Sequence, residues 1–265
     1  MLSTLRHALR RLSVLLLLPC ALLAAPGANA ETPPRVLVFG DSNSWGWIAS
    51  PQAFPVQRLD DAQRWPGVLG QALNGQATVQ VDALSGRTVD VDYPEAIAGF
   101  PGPLFNGSRS LAEALAREAP VDLLVLMLGT NDLRADLGRS PQDIAQGLAG
   151  LVRQAAQFGS GVLTTYAAPR VLLVVPPPLG DVSATPMGAF FAGMQAKSRA
   201  LAPAVRQLAQ DSPVAVFDAA DATGPIAGVD GVHLTAEQHQ RLGHALAPVL
   251  RQMLVPAAKP THRKE

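Results

Sequence analysis

The sequence predicts an α/β fold in which a parallel sheet is covered by helices on both faces. Two observations carry that prediction. Four short runs rich in valine and leucine are too uniformly apolar to be half-exposed strands. Longer segments with helical spacing separate them, so strand and helix alternate along the chain.

The first thirty residues stand apart. Arg6, Arg10 and Arg11 precede an apolar run, Val14 to Leu18 and then Ala21 to Ala25, that ends at Ala28-Asn29-Ala30. A basic start, a short apolar stretch and a small-residue site read as a signal peptide cleaved after Ala30. Pro19 and Pro26 interrupt a run already short of the roughly 20 apolar residues that a spanning helix needs. The expectation is therefore an exported protein, periplasmic or secreted, with no stable membrane anchor after cleavage. Residues 31–255 would form a single α/β domain, and the polar stretch 256–265 a frayed tail.

The predicted strands follow in order: Val36 to Phe39, Thr78 to Ala83, Val121 to Leu128, Val171 to Val175 and Val214 to Phe217. Thr78 to Ala83 alternates apolar and polar residues, which suits an edge strand. The predicted helices are Trp65 to Leu73, Ser110 to Glu118, Pro141 to Phe158, Met187 to Gln210 and Ala236 to Met253. Ser140 before Pro141 and Asp143, and Thr235 before Ala236 and Glu237, are helix-start signals. The two long connections, Ile48 to Arg64 and Arg87 to Arg109, are rich in Pro, Gly and Asp. Loops of that length in such domains often wall an active-site mouth.

Composition narrows the chemistry. The chain carries 21 basic and 21 acidic side chains. Losing three arginines and no acid with the leader leaves a slightly acidic protein, so nothing recruits nucleic acid. The single cysteine, Cys20, lies inside the leader, which removes thiolate nucleophiles, disulfides and Cys-based zinc sites from the exported chain. No His and carboxylate cluster has metal-ligand spacing, so neither metal nor cofactor is expected.

Ser42 follows the first strand directly, in "VLVFGDSNSWGW", residues 36 to 47. It can be a helix cap or a nucleophile at the ligand-facing end of the sheet. The loop lacks the Gly-Lys-Ser/Thr ending of a phosphate loop, and Asp41 would repel a phosphate. A nucleophilic serine needs a base. His262 is in the tail, while His239 and His244 sit five apart on the last helix as solvated or packing residues. His233 differs, because "VDGVHLT" places it just before that helix with Asp230 three residues earlier across Gly231. A turn there can bring the carboxylate onto one ring nitrogen, or the segment can be an ordinary turn with a capping histidine. Asn131 in "LGTND" and Gly86 in "LSGRT" also end strands, where they can donate to a developing oxyanion.

Gly40-Asp41-Ser42, Gly86, Gly129-Thr130-Asn131-Asp132 and Asp230-Gly231-Val232-His233 resemble, in order and character, the blocks of the GDSL or SGNH hydrolase family. The resemblance spans essentially the whole exported chain. It implies a flavodoxin-like three-layer α/β/α sandwich with strand order 2-1-3-4-5. It also implies Ser42 as nucleophile, His233 as base, Asp230 as its orienting acid, and an oxyanion hole of Ser42 N–H, Gly86 N–H and the Asn131 side chain. "GDSNSWGW", "RWPGVL", "FNGS", "DLLVLMLGTNDLRA" and "LLVVPPPLG" are similar to the arylesterase and acyltransferase subgroup. Asn43 departs from the leucine of the family name. The activity implied is hydrolysis of small-molecule esters through an acyl-enzyme, with water or an alcohol as acceptor. O-acetyl removal from polysaccharides and a non-catalytic glycan-binding module are the alternatives. Some relatives in the subgroup are oligomers, which leaves a homo-oligomer open.

Trp45 and Trp47 are expected near the pocket. Two apart at a helix start, they do not share a face, so one lines the pocket while the other packs inside. Pro176-Pro177-Pro178 would form a stiff apolar rim, with Pro177 at its centre. Phe100, Phe105, Phe190 and Phe191 suit a small apolar acyl group or aryl alcohol.

Overall fold

The computed structural model describes residues 32–158, 165–210, 212 and 214–255. The expected leader 1–30 and tail 256–265 lie outside the described residues. From Pro33 onward the chain forms one unit. Its five strands are β1 (Arg35–Gly40), β2 (Thr78–Ala83), β3 (Leu123–Met127), β4 (Arg170–Val175) and β5 (Ala215–Asp218). All pair in parallel, in the order β2-β1-β3-β4-β5. That is the architecture the sequence predicts. β3 is buried along its whole length, whereas β2 lies at an edge and alternates in exposure.

Side chains alternate across the sheet and so build two cores. On one face Val36, Val38, Val125 and Met127 pack with helices α2 (Trp65–Leu73) and α8 (Ala236–Leu254). On the other, Leu37, Phe39, Leu124 and Leu126 pack with α3 (Gly107–Glu118), α4 (Pro141–Gln157) and α6 (Gln195–Ala209). α4 and α8 each start with a full capping box, Ser140 with Asp143 and Thr235 with Gln238.

Most element ends fall within two residues of the periodicity reading, and two differences are larger. α3 begins three residues before Ser110, because Asn106 accepts the Ser108 N–H at 3.0 Å and caps the helix there. The segment from Met187 to Gln210 divides into a single turn (Gly188–Phe191) and α6, separated at 192–194. Short turns complete the fold at Ser42–Trp45 (α1) and Ala220–Thr223 (α7), with the turn Gly188–Phe191 counted as α5.

His239 on α8 is fully buried, and its Nδ1 accepts the backbone N–H of Trp65 at 3.1 Å. The helix start that Arg64 leaves without a side-chain cap is thereby satisfied from a different helix. Burial, with the nearby His233 and Arg64 charges, pulls the imidazole down to about 3. The unfolded side chain takes up its proton near pH 6.5, well before the folded one does. His239 therefore contributes stability that is fully present above that pH and is lost as pH falls towards 3. Buried Asp41 and Asp132, raised to about 7 and about 6 by desolvation, act in the opposite sense. The test is accordingly a difference measurement. Relative to H239Q, wild-type unfolding free energy in urea is expected to drop by roughly 2 kcal/mol between pH 7 and pH 5. A pH-independent difference would refute the buried neutral imidazole.

Candidate active site

The site forms where the carboxyl ends of β1, β2 and β3 meet the loop that precedes α8. β1 ends at Gly40, and Asp41 takes the cap position of α1 by accepting the Asn43 N–H at 2.9 Å. The capping role open to Ser42 thus falls to its neighbour. Ser42 is the first helical residue, and its hydroxyl faces the loop of residues 228–235.

In that loop Asp230 Oδ1 accepts the backbone N–H groups of Val232 and His233, each at 3.0 Å. The other oxygen, Oδ2, lies 2.7 Å from His233 Nδ1, and His233 Nε2 lies 2.9 Å from Ser42 Oγ. All three side chains are buried. Burial pushes the Asp230 carboxyl up, but the His233 hydrogen bond, the imidazole charge and the two backbone N–H groups bring it below the usual carboxylate range. An ionised Asp230 fixes the proton on Nδ1 and leaves Nε2 free to accept from the serine. The structure thus brings together the three residues that the sequence singles out, Ser42, Asp230 and His233.

Gly46 ends α1 with φ of 98°, a left-handed turn that directs the chain back across the site. Trp47 consequently stacks on the His233 ring, centroids 4.5 Å apart and planes 8° off parallel. Trp45 points elsewhere. It packs against the core under Arg58, whose guanidinium lies 5.0 Å above its ring. Of the two tryptophans expected near the pocket, Trp47 is the one that lines it and Trp45 the one that packs inside, so Trp45 is not a pocket residue.

Pro177 is corrected too. It is buried and absent from the cavity wall, because this stretch runs beneath the His233 loop. Pro178 O accepts from Ile226 N at 2.9 Å, and Gly180 N donates to Gly231 O at 2.9 Å. The proline segment supports the loop instead of rimming the mouth.

Ser42, His233, Gly86 and Asn131 open onto one cavity of about 470 Å³. Gly86 adopts φ of 88°, a backbone conformation that side chains disfavour. Among the described residues, neither the Ser42 nor the Gly86 N–H donates to a protein acceptor. Asn131 Nδ2 donates to Arg87 O at 3.0 Å, while its approach to Asp41 Oδ2 is a long 3.4 Å. One amide hydrogen is therefore committed and the other only loosely held.

The two long connections supply most of the remaining wall, through Phe54 and Val56 from the first and Tyr93, Ile97, Phe100 and Leu104 from the second. Phe105 from the second connection also lines it, as do Ser85, Met187, Phe190 and Phe191. Phe54 and Phe100 are more than half exposed, at 55% and 57%. Two of the polar side chains in this wall, Tyr93 and Arg134, are engaged with protein partners, whereas Ser85 Oγ and Trp47 Nε1 have none among the described residues. The Tyr93 hydroxyl donates to Gly86 O at 2.8 Å, and Arg134 pairs with Asp136 at 2.7 Å. The Arg134 guanidinium lies 4.7 Å from the Tyr93 ring and 4.4 Å from that of Phe190. Sequence reasoning gave no role to Arg134, which stands in no pattern that marks it, nor to Asn43 beyond its departure from the leucine of the family name.

Among the described residues no three His, Cys, Asp or Glu side chains are grouped to hold a metal ion, and no helix is long and apolar enough to cross a membrane. Residues 38–241 match the GDSL-like Lipase/Acylhydrolase family. The fold is similar to that of an aryl esterase from M. smegmatis, with 40% identity, a TM-score of 0.79, and coverage of 83% of this chain and all of that one. It is also similar to a carbohydrate acetylesterase from Sinorhizobium meliloti, with 38% identity, a TM-score of 0.77, and coverage of 83% and 99%. No curated protein sequence matches.

Proposed function

The chain belongs to the GDSL-like lipase/acylhydrolase family of ester-hydrolysing enzymes, and from that premise we propose that it is an exported serine esterase acting on aryl and alkyl esters of short acyl groups. The observation that carries this reading is the unbroken series Ser42 Oγ, His233 Nε2, His233 Nδ1, Asp230 Oδ2 at the mouth of an apolar cavity.

In this reading Ser42 Oγ attacks the ester carbonyl while His233 Nε2 takes its proton. Ionised Asp230 stabilises the resulting imidazolium without itself becoming protonated. The carbonyl oxygen turns negative and is met by the Ser42 and Gly86 N–H groups and the loosely held Asn131 hydrogen. His233 then returns the proton to the departing alkoxide or aryloxide, leaving an acyl-serine. A water, or a second alcohol, then attacks the acyl carbon as the same nitrogen takes its proton, and His233 passes that proton to Ser42 Oγ as the acyl–serine bond breaks. The apolar wall favours an organic alcohol over water at this step, which supports acyl transfer alongside hydrolysis.

A polysaccharide O-acetyl substrate is the second reading, favoured by likeness to the S. meliloti acetylesterase. The cavity speaks against it. A sugar would give up hydrogen bonds to water, and a wall built mostly of aromatic and aliphatic side chains offers few in return, with Tyr93 and Arg134 already bound to protein partners. Export rests on the basic, apolar and small-residue pattern of residues 1–30.

The test is labelling and turnover of the full chain. A fluorophosphonate is expected to modify Ser42 stoichiometrically, as mapped by peptide mass. p-Nitrophenyl acetate and butyrate should turn over faster than acetylated xylan. Faster turnover of xylan would move the assignment to the glycan reading, and labelling at a different serine would overturn the mechanism. Ester formation with added benzyl alcohol measures the transfer branch.

A further inference from the structure

The Ser42 to His233 distance poses a positioning problem that the triad residues do not solve. Asp230 and His233 belong to one loop, so their bond moves with that loop and cannot set its height above the nucleophile. Ser42 belongs to β1–α1, which is rooted in the sheet. Stacking on Trp47 fixes the plane of the imidazole but leaves it free to slide within that plane. Some contact must hold the loop to α1.

Asn43, next to the nucleophile, makes that contact. Its Nδ2 donates to Val232 O at 3.1 Å and its Oδ1 accepts from Leu234 N at 2.9 Å. These two backbone groups flank His233. The side-chain amide thus pairs with the loop as a neighbouring peptide would, using one donor and one acceptor. Asn43 is itself held, since its own N–H is bound by Asp41 Oδ1 at 2.9 Å and its side chain is 1% exposed. Leucine, the residue of the family's name, has similar bulk and can make neither bond.

We infer that Asn43 is a positioning residue, one that sets the reach of His233 Nε2 to Ser42 Oγ by clamping the loop on either side of the base. This rests on the catalytic reading of Ser42 and His233 given above. Asn43 touches neither substrate nor the reacting atoms, so its effect falls on both proton transfers and not on substrate binding. A clamp acting through geometry is distinguishable from one that only stabilises the fold.

The experiment measures kcat and KM of N43L and N43A for p-nitrophenyl butyrate, per active site titrated with a fluorophosphonate under prolonged incubation. Melting temperatures are recorded in parallel. The expected result is a drop in kcat per titrated site of roughly 30-fold or more in both variants, with KM within about twofold of wild type. The rate of phosphonylation should fall in parallel, because it uses the same activated hydroxyl. A lower melting temperature with kcat per titrated site within twofold of wild type overturns the proposal and leaves Asn43 a purely structural residue. S42A separates the two levels. If it retains hydrolysis, the catalytic reading fails. If it is inactive while N43L keeps wild-type kcat per site, only the clamp fails.

Discussion

S42A is expected to lower kcat for p-nitrophenyl butyrate by roughly 10⁴-fold or more, with KM little changed and the fold intact. The hydroxyl is the atom that forms the acyl bond, so its removal leaves only uncatalysed attack by water near the oxyanion donors. What the fold loses is small. The side chain is buried and its hydroxyl has one recorded partner, His233 Nε2 at 2.9 Å. Removing a single neutral hydrogen bond costs about 1 kcal/mol. Circular dichroism and a urea titration should therefore show a folded protein while the initial-rate assay shows almost none of the wild-type rate. Hydrolysis persisting above 1% of wild type would mean a different nucleophile.

D230N is expected to cost roughly 10³- to 10⁴-fold in kcat, although the substitution is nearly isosteric. The reason is the division of labour between the two carboxylate oxygens. Oδ1 accepts from the Val232 and His233 N–H groups, so asparagine must keep its oxygen on that side. Its NH2 then faces His233 Nδ1, which can only accept. The ring proton moves to Nε2, and the nitrogen facing Ser42 Oγ becomes a donor that cannot take the serine proton. The loop keeps its backbone bonds, so stability changes little while turnover collapses. A further readout follows from the lowered Asp230 pKa. In the wild type the carboxylate's contribution to stability is present above its unfolded pKa and is lost as pH falls through the folded one. D230N should lack that acid-side loss. Turnover within tenfold of wild type would show that Asp230 does not set the tautomer.

The parts of this molecule legible in sequence are those whose signal is local and repeated. β1, β3 and β4 announce themselves because a strand buried on both faces can carry almost no polar residue. α4 and α8 are marked by Ser140 and Thr235, whose caps depend only on the next three residues. Ser42, Asp230 and His233 are legible as motifs, and Gly86 and Asn131 by their places at strand ends, with the family likeness joining the five into one site. What escaped depends on where distant backbone lies. Trp45 and Trp47 differ in fate because Gly46 turns the chain between them. Pro177 looks like a rim residue until the acceptors and donors of residues 226 and 231 draw its segment beneath the loop. Asn43 reads as a tolerated replacement because both its partners lie near residue 233. His239 is likewise silent in sequence, since the N–H it satisfies belongs to another helix.

The bond between Ser42 and His233 spans 191 residues, and the Asn43 clamp nearly as many. The chain between them carries four of the five strands, so these contacts join the two ends of the domain. A nascent or partly unfolded chain therefore holds a serine with ordinary alcohol reactivity, chemically silent towards its surroundings. Esterase turnover therefore reports on the native arrangement of both ends of the domain, not on the presence of the serine alone.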